Sequence, residues 1–249
     1  MPFVAQTIDS VLMQQYGELE YIVVDGGSVD GTLDIIKSNQ NRITQWISEK
    51  DGGIADAFNK GLALSSGQYI LFLNADDSLS NSGVVAEIAR HIVASEFPAF
   101  VYGDCNVLER KSGEILYRAT IQFSRAGLLR GRMPPHPSLF AKRSYFEKYG
   151  KFNTQFKMAM DFEWFLRGIR NERIVHAPLL VTNVRTGGIS TQHPRDAVEE
   201  IILALLKNGY VSSRLMELRI RAYFSGRAAI KMLLKRLGIH SLYAYIKGK

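Results

Sequence analysis

Two apolar runs in the sequence each lead into carboxylates. Tyr21-Ile22-Val23-Val24 runs into Asp25-Gly26-Gly27-Ser28-Val29-Asp30-Gly31-Thr32, and Tyr69-Ile70-Leu71-Phe72-Leu73 runs into Asn74-Ala75-Asp76-Asp77. Short continuous apolar runs that end in glycines or acids read as buried parallel strands feeding loops. Ligands of open α/β sheets sit outside the carboxyl ends of such strands. Two acid clusters at neighbouring strand ends would concentrate negative charge in one crevice. A divalent cation bridging a carboxylate to a phosphate is a natural way to neutralise it. The alternative for each cluster is local: Asp25 and Asp30 cap the next helix, and Asp76-Asp77 starts a turn.

The elements that must position these groups follow from the apolar spacing. Thr7 to Tyr16 reads as a helix with Ile8, Val11 and Leu12 on one face, followed by the strand at 21–24 and a helix from about Thr32. Ile43 to Ile47 reads as a short strand, Ile54 to Leu64 as a helix, and 69–73 as the next strand. A helix over about 83–95 and a strand at Phe100 to Tyr102 come after it. Segment 106–121 reads as a hairpin turned at Lys111-Ser112-Gly113. Pro134-Pro135-His136-Pro137 cannot be helix interior and forms a rigid loop before a strand at Ser138 to Ala141. Phe162 to Ile169 reads as helical, Leu179 to Val184 as extended, and everything from Pro194 onward as helical. Alternating β and α segments up to about 150, then helices, predict an α/β domain with a helical C-terminal appendage.

The 249 residues are 46% hydrophobic and 22% charged, an ordinary globular balance. The single cysteine, Cys105, excludes an internal disulfide and fits a reducing compartment. No stretch approaches the roughly 20 apolar residues needed to span a bilayer, and no signal-peptide core is present at Met1. The expected location is cytoplasmic. Residues 195–249 hold 11 Lys/Arg and 4 Asp/Glu, so the net charge of +7 lies entirely in this tail and the rest is neutral. That asymmetry points to an acidic partner for the tail and not for the body. Nucleic acid is disfavoured as a partner, because the body is neutral and the tail's basic residues form no recognised module.

With these motifs in view the sequence resembles the inverting, metal-dependent nucleotide-sugar glycosyltransferases of family 2, which have a GT-A fold. The resemblance is carried, in order, by Ser10-Val11-Leu12 with Gln15-Tyr16, by Val24 to Thr32, by Ser48-Glu49-Lys50-Asp51-Gly52-Gly53-Ile54-Ala55-Asp56-Ala57-Phe58-Asn59-Lys60-Gly61, and by Phe72 to Asp77. Tyr102-Gly103-Asp104, His136-Pro137-Ser138, Met160-Asp161-Phe162-Glu163-Trp164-Phe165-Leu166-Arg167 and Gly187-Gly188-Ile189-Ser190 complete it. The implied fold is a mostly parallel, Rossmann-like sheet flanked by helices. Residues 1–194 would form the catalytic domain and 195–249 the basic helical appendage. The implied activity is transfer of a sugar, with inversion, from a nucleotide-diphospho-sugar (a UDP-sugar first) to a glycan or lipid-linked acceptor, in bacterial polysaccharide or cell-surface glycan biosynthesis. The alternative is a catalytically impaired nucleotide-sugar-binding or assembly protein of the same fold.

The resemblance also implies roles. Glycines such as Gly27 let backbone approach a flat base, and Asp25 would accept a hydrogen bond from its N–H. Asn74-Ala75-Asp76-Asp77 stands where the family has Asp-x-Asp. Asp76 is the first choice for ligating Mg²⁺ or Mn²⁺ and Asp77 the second, while Asn74 could bond a ribose hydroxyl. Asp161 occupies the place of the catalytic base that takes the acceptor proton, with a helix N-cap as its alternative. Asp56 is implied in the donor pocket, Lys60 opposite phosphate, His136 near the diphosphate or acceptor, and Arg185 with Gly187-Gly188 in a loop closing over the donor. Family members open with a hydrophobic strand ahead of the first helix. The sequence opens at Met1-Pro2-Phe3, so that strand is expected to be absent. In the tail, Arg227 to Gly238 alternates Ile230, Leu233, Leu234 and Leu237 with Lys and Arg. This is the pattern of a helix lying on an anionic membrane surface at the cytoplasmic face, or of one packed on the catalytic domain with its charges in water.

Overall fold

The computed structural model describes residues 2–236. Helix α1 (Pro2–Leu12) begins earlier than the apolar spacing predicts, because Pro2 suits a first helical turn and Val4 extends the buried face of Ile8 and Val11. Strand β1 (Ile22–Asp25) pairs parallel with β2 (Gln45–Ser48) across helix α2 (Thr32–Ser38). Helix α3 (Ile54–Leu64) packs on β1, with Gly61 against Val24.

A second sheet of six strands holds β3 (Tyr69–Ile70), β4 (Ser78–Leu79), β5 (Phe100–Leu108), β6 (Ile115–Ala119), β7 (Leu139–Lys142) and β8 (Ile174–Arg185). Its order is β3-β7-β5-β8-β4, with β6 hairpinned onto β5. Only β5 and β8 are parallel in it, and the other pairs are antiparallel. The expectation of a mostly parallel sheet is therefore corrected to a mixed one. Parallel neighbours need a long crossover, which the chain provides between β1 and β2 and between β5 and β8. The expected strand at 69–73 keeps its ladder only through Ile70, where β7 pairs with it.

Strand β5 alternates its side chains between two cores. Phe100 and Tyr102 meet helices α6 (Arg143–Tyr149) and α7 (Met160–Gly168) in an aromatic cluster with Tyr145, Trp164 and Phe165. Val101 points the other way, into the cluster beneath helix α4 (Val84–Ala94). Two short helices, α5 (Arg125–Leu128) and α8 (Ile189–Gln192), and a single 3-10 turn at His136–Ser138 complete the connections. Beyond them lie α9 (Pro194–Lys207) and α10 (Arg214–Arg236). Ile202 and Leu205 of α9 and Ile220 of α10 are buried in the aromatic core. The tail's first helices are thus packed onto the body, while Leu215, Leu218 and Ile230 on α10 stay exposed. The part of the basic tail at 237–249, including Leu237 and Gly238 of the expected amphipathic stretch, lies outside the described residues. Among the described residues no helix is long and apolar enough to cross a membrane.

The two sheets do not join. A cavity of about 1230 Å³ separates them, with Val23 and Val24 on one side, Leu71 and Leu73 on the other, and α1 beneath through Thr7 and Ile8. Asp25 and Asp76, each following one of these flanking segments, line the same cavity.

Candidate active site

Asp25 ends β1 and is nearly buried. Its Oδ2 accepts the Gly27 N–H (3.2 Å), the Ser28 N–H (3.0 Å) and the Ser48 hydroxyl (2.6 Å). Burial pushes this carboxyl up, but the hydrogen bonds from Ser28, Ser48 and the Gly27 backbone outweigh it and hold Asp25 below the ordinary carboxylate range. The group therefore stays ionised and is fixed in direction. Gly27 has φ of +85°, so a side chain there would strain the loop. At Gly26 a Cβ would stand 2.5 Å from Asp51 Oδ2, so glycine is what allows the two segments to touch.

Asp51 accepts the Gly53 N–H, and Asp56 Oδ2 accepts the Gly52 N–H (3.0 Å). These two carboxylates shape the turn that starts α3. Lys60 donates to Glu49 (2.8 Å) and lies 3.5 Å from Asp56. Both partners, Glu49 first, hold its ammonium above the usual lysine range. Lys60, implied to lie opposite phosphate, is thus paired with two acids at the start of α3. Asp30, as a loop residue, accepts the Thr32 N–H and hydroxyl at the start of α2.

In the second cluster the two acids diverge. Asp77 is 2% exposed, with Oδ2 accepting from Asn74 Nδ2 (3.0 Å) and Oδ1 from the Arg185 N–H (3.2 Å). Burial, with the Asp76 charge adding to it, pushes the Asp77 carboxyl up to about 6 against the hydrogen bonds from Asn74 and Arg185. Asp77 therefore orients its neighbours from behind. As second candidate for the metal, Asp77 is the less accessible of the two acids, being buried with a hydrogen bond on each oxygen. Asn74, expected at a ribose hydroxyl, instead has its amide N–H₂ on Asp77. Asp76 faces the cavity with its side chain 28% exposed, and its Oδ2 bonds Arg110 Nη1 at 2.6 Å. Thr7 of α1 donates to the Ala75 and Asp77 carbonyls and fixes this loop from below. Arg185 donates to Gln6 (2.9 Å) and to the Arg110 carbonyl (3.2 Å), with its guanidinium 4.4 Å from the Phe3 ring centroid.

Asp161 lies in the first turn of α7, whose N-cap is Ala159, so the N-cap alternative is corrected. Its Oδ1 accepts the Phe162 N–H. His136 packs against Phe58 (5.3 Å between centroids), Phe72 (6.0 Å) and Phe152 (6.4 Å). Burial pushes the imidazole below its ordinary 6.5, while the negative charge of Asp161 pulls it back. The two expected residues thus stand close enough to interact, with Phe72 between this aromatic box and the cavity.

Because the folded-state value of His136 is depressed, the unfolded chain binds this proton first as pH falls. Its contribution to stability is complete above about 6.5 and is lost as pH drops from there toward the folded value. Denaturant unfolding at pH 7.5 and pH 5 should show this loss, and His136→Phe should lessen it; an unchanged drop in the variant would place the titration elsewhere.

The turn that presents Asp161 is held from α9. Glu200 accepts the N–H groups of Lys157 (2.9 Å), Met158 (2.8 Å) and Ala159 (2.8 Å). Removing this carboxylate leaves three backbone donors without an acceptor. Glu200→Ala is expected to cost about 1–3 kcal/mol of stability. Thermal unfolding of the parent and the variant would check it.

Neither Glu200 nor Arg110 is signalled locally in the sequence. Each acts on a segment more than 30 residues away, and a lone charge in a helix or hairpin carries no sign of it. Among the described residues no group of three His, Cys, Asp or Glu could by itself hold a metal ion. The site still fits a hard cation bound through one carboxylate, Asp76, together with phosphate oxygens and water, the usual mode for Mg²⁺.

The architecture is a GT-A-like α/β fold. Residues 1–349 of TarS of S. aureus, solved with UDP, align with a TM-score of 0.65 over 91% of the chain and 68% of that solved segment, at 18% identity. A mannosyltransferase from Pyrobaculum calidifontis, solved with GDP-Man and Mn²⁺, aligns with a TM-score of 0.61 over 90% of the chain and 66% of its own, also at 18%. Residues 2–158 match Glycosyl transferase family 2, and the chain belongs to that family. A PGL/p-HBAD biosynthesis glycosyltransferase of Mycobacterium bovis is 33% identical over 171 residues, 68% of the chain and 65% of that relative. The match thus spans just under two thirds of that curated relative's length. An uncharacterized glycosyltransferase of Mycobacterium tuberculosis is 31% identical over 195 residues, 78% of the chain and 74% of the relative.

Proposed function

We propose that the chain transfers a sugar, with inversion, from a nucleotide-diphospho-sugar to a glycan or lipid-linked acceptor. The observation that carries this reading is that Asp25, fixed and ionised, and Asp76, the more accessible acid of its pair, line one cavity following its two flanking segments. In this reading Asp25 accepts from the base, and the Gly26-Gly27 turn lets the base lie against backbone. A divalent cation held by Asp76 would neutralise the charge gathering on the leaving nucleoside diphosphate. Asp161 takes the proton of the acceptor hydroxyl as its oxygen bonds the anomeric carbon, and the electrons of the breaking C–O bond leave on the diphosphate. His136 keeps the region beside Asp161 neutral and dry. UDP is the first choice of nucleotide, supported by the UDP and UDP-GlcNAc complexes of TarS. GDP is the competitor, given the GDP-Man complex. Incubation with UDP-GlcNAc, UDP-glucose or GDP-mannose and Mn²⁺ should release nucleoside diphosphate; no release from any of them, alone or with lipid extract as acceptor, would count against transfer.

The impaired-binder reading draws support from one observation, the cavity that splits the sheet beside Asp25. It predicts nucleotide binding without release, so the same assay separates the two.

The division at 194/195 and a membrane-facing tail complete the proposal. Exposed Leu215, Leu218 and Ile230 lie on the basic helix α10, which suits an anionic lipid surface. Co-sedimentation with phosphatidylglycerol vesicles should be strong at low salt, weaken as salt rises, and largely vanish on deleting 211–249. Binding that survives the deletion would make the tail ordinary packing.

A further inference from the structure

Among the described residues Arg110 is the only lysine or arginine lining the cavity, whereas Glu18, Glu20, Asp25, Asp30 and Asp76 all line it. A nucleoside diphosphate entering there brings further negative charge toward carboxylates, so one positive side chain at that spot has a large electrostatic effect. The guanidinium is engaged with the very carboxylate that a cation would need: Nη1 lies 2.6 Å from Asp76 Oδ2 and also donates to the Thr186 carbonyl at 3.3 Å.

The Arg110 stem lies beside Gly187, and its head, engaged as it is, stays partly open to solvent. The Arg110 guanidinium lies 5.4 Å from the Phe3 ring centroid, and that of Arg185 lies 4.4 Å from the same ring. Arg185 donates to the Arg110 carbonyl and is itself tied to Gln6, so it braces the turn that carries Arg110. A Cβ on Gly187 would stand 3.2 Å from Arg110 Cδ, and Gly187 adopts φ of +98°; the glycine leaves space for the arginine stem. The Arg110 side chain remains 43% exposed.

From these contacts we infer that Arg110 is a diphosphate-binding residue that guards Asp76: it pairs with the carboxylate while the site lacks donor and turns to the diphosphate when a divalent cation takes its place. The inference rests on the donor reading above and adds a residue and an order of events to it. Arg110 and the cation compete for Asp76 and then cooperate on the diphosphate. Electrostatically, Arg110 keeps the carboxylate compensated in the empty cavity, where an unpaired charge is costly. A guanidinium then suits two phosphate oxygens at once.

The test compares the parent with Arg110→Met, which keeps an apolar stem beside Gly187, and with Arg110→Lys, which keeps a charge. Calorimetry would follow uridine, UDP and GDP in Mn²⁺, and Mn²⁺ electron paramagnetic resonance would follow the cation without nucleotide. Arg110→Met should bind UDP roughly tenfold or more weakly, bind uridine as the parent does, and bind Mn²⁺ alone more tightly than the parent. Arg110→Lys should recover part of the UDP affinity. Equal loss of uridine and UDP would reduce Arg110 to a structural role and overturn the inference, as would unchanged UDP affinity or unchanged Mn²⁺ affinity in Arg110→Met. A parent that binds neither UDP nor GDP in Mn²⁺ overturns the donor reading itself; a parent that binds while Arg110→Met behaves identically overturns only this inference.

Discussion

Asp161→Asn is expected to lower sugar transfer by roughly 10²–10⁴ while leaving nucleotide affinity within about twofold. The side chain sits in the first turn of α7, beside the His136 aromatic box and outside the set of residues lining the cavity. An amide there keeps the shape and can still accept the Phe162 N–H, so the backbone turn and its Glu200 anchor should persist. What the substitution removes is the capacity to take a proton. The effect therefore belongs in kcat, with KM for the donor little moved. Transfer at the parent's rate would place the base on another residue, and loss of nucleotide binding would show that Asp161 serves the donor instead.

Asp76→Asn is expected to weaken donor binding in Mn²⁺ by at least roughly tenfold and to abolish its dependence on the cation. Asp77→Asn should do far less to cation dependence. The contrast follows from access: Asp76 faces the cavity, while both Asp77 oxygens are occupied by Asn74 and the Arg185 backbone. An amide at Asp77 removes a buried carboxyl whose ionisation is already disfavoured, so its consequence should fall on loop geometry and stability. Titrating Mn²⁺ at fixed UDP for both variants would show the difference as the concentration needed for half-maximal binding. Equal loss in the two would mean that the pair binds the ion jointly and that the buried position of Asp77 relaxes when donor arrives.

Much of the framework was legible because it is written in local patterns. Ile54 to Leu64 has helical apolar spacing and forms α3 over that range; the β and α segments around Asp25 and the hairpin after β5 also fall near their predicted places. The sheet's direction was less legible. An apolar run signals burial but not the neighbour's orientation, and β7 enters antiparallel between β3 and β5. The run at 69–73 reads as one strand, yet the ladder stops at Ile70 and Leu71 to Leu73 border the cavity. For the site, residue type identified candidates without ranking them. Asp76 and Asp77 are identical in sequence terms, and only packing separates a half-buried acid from a fully buried one. Lys60 looked free for phosphate because its pairing with Glu49 spans a turn, and the grip of Arg110 on Asp76 spans even more chain.

The central claim is that one cavity, bordered by Asp25 and Asp76, takes a nucleoside diphosphate through a divalent cation. The most direct measurement is a calorimetric titration of UDP, with GDP in parallel, into the protein in Mn²⁺ and again after EDTA, alongside Asp25→Asn. Binding in Mn²⁺ that weakens at least roughly tenfold in EDTA, and weakens for the cognate nucleotide in Asp25→Asn, is the predicted result. Equal affinity with and without the cation, or no binding of either diphosphate, would contradict the account.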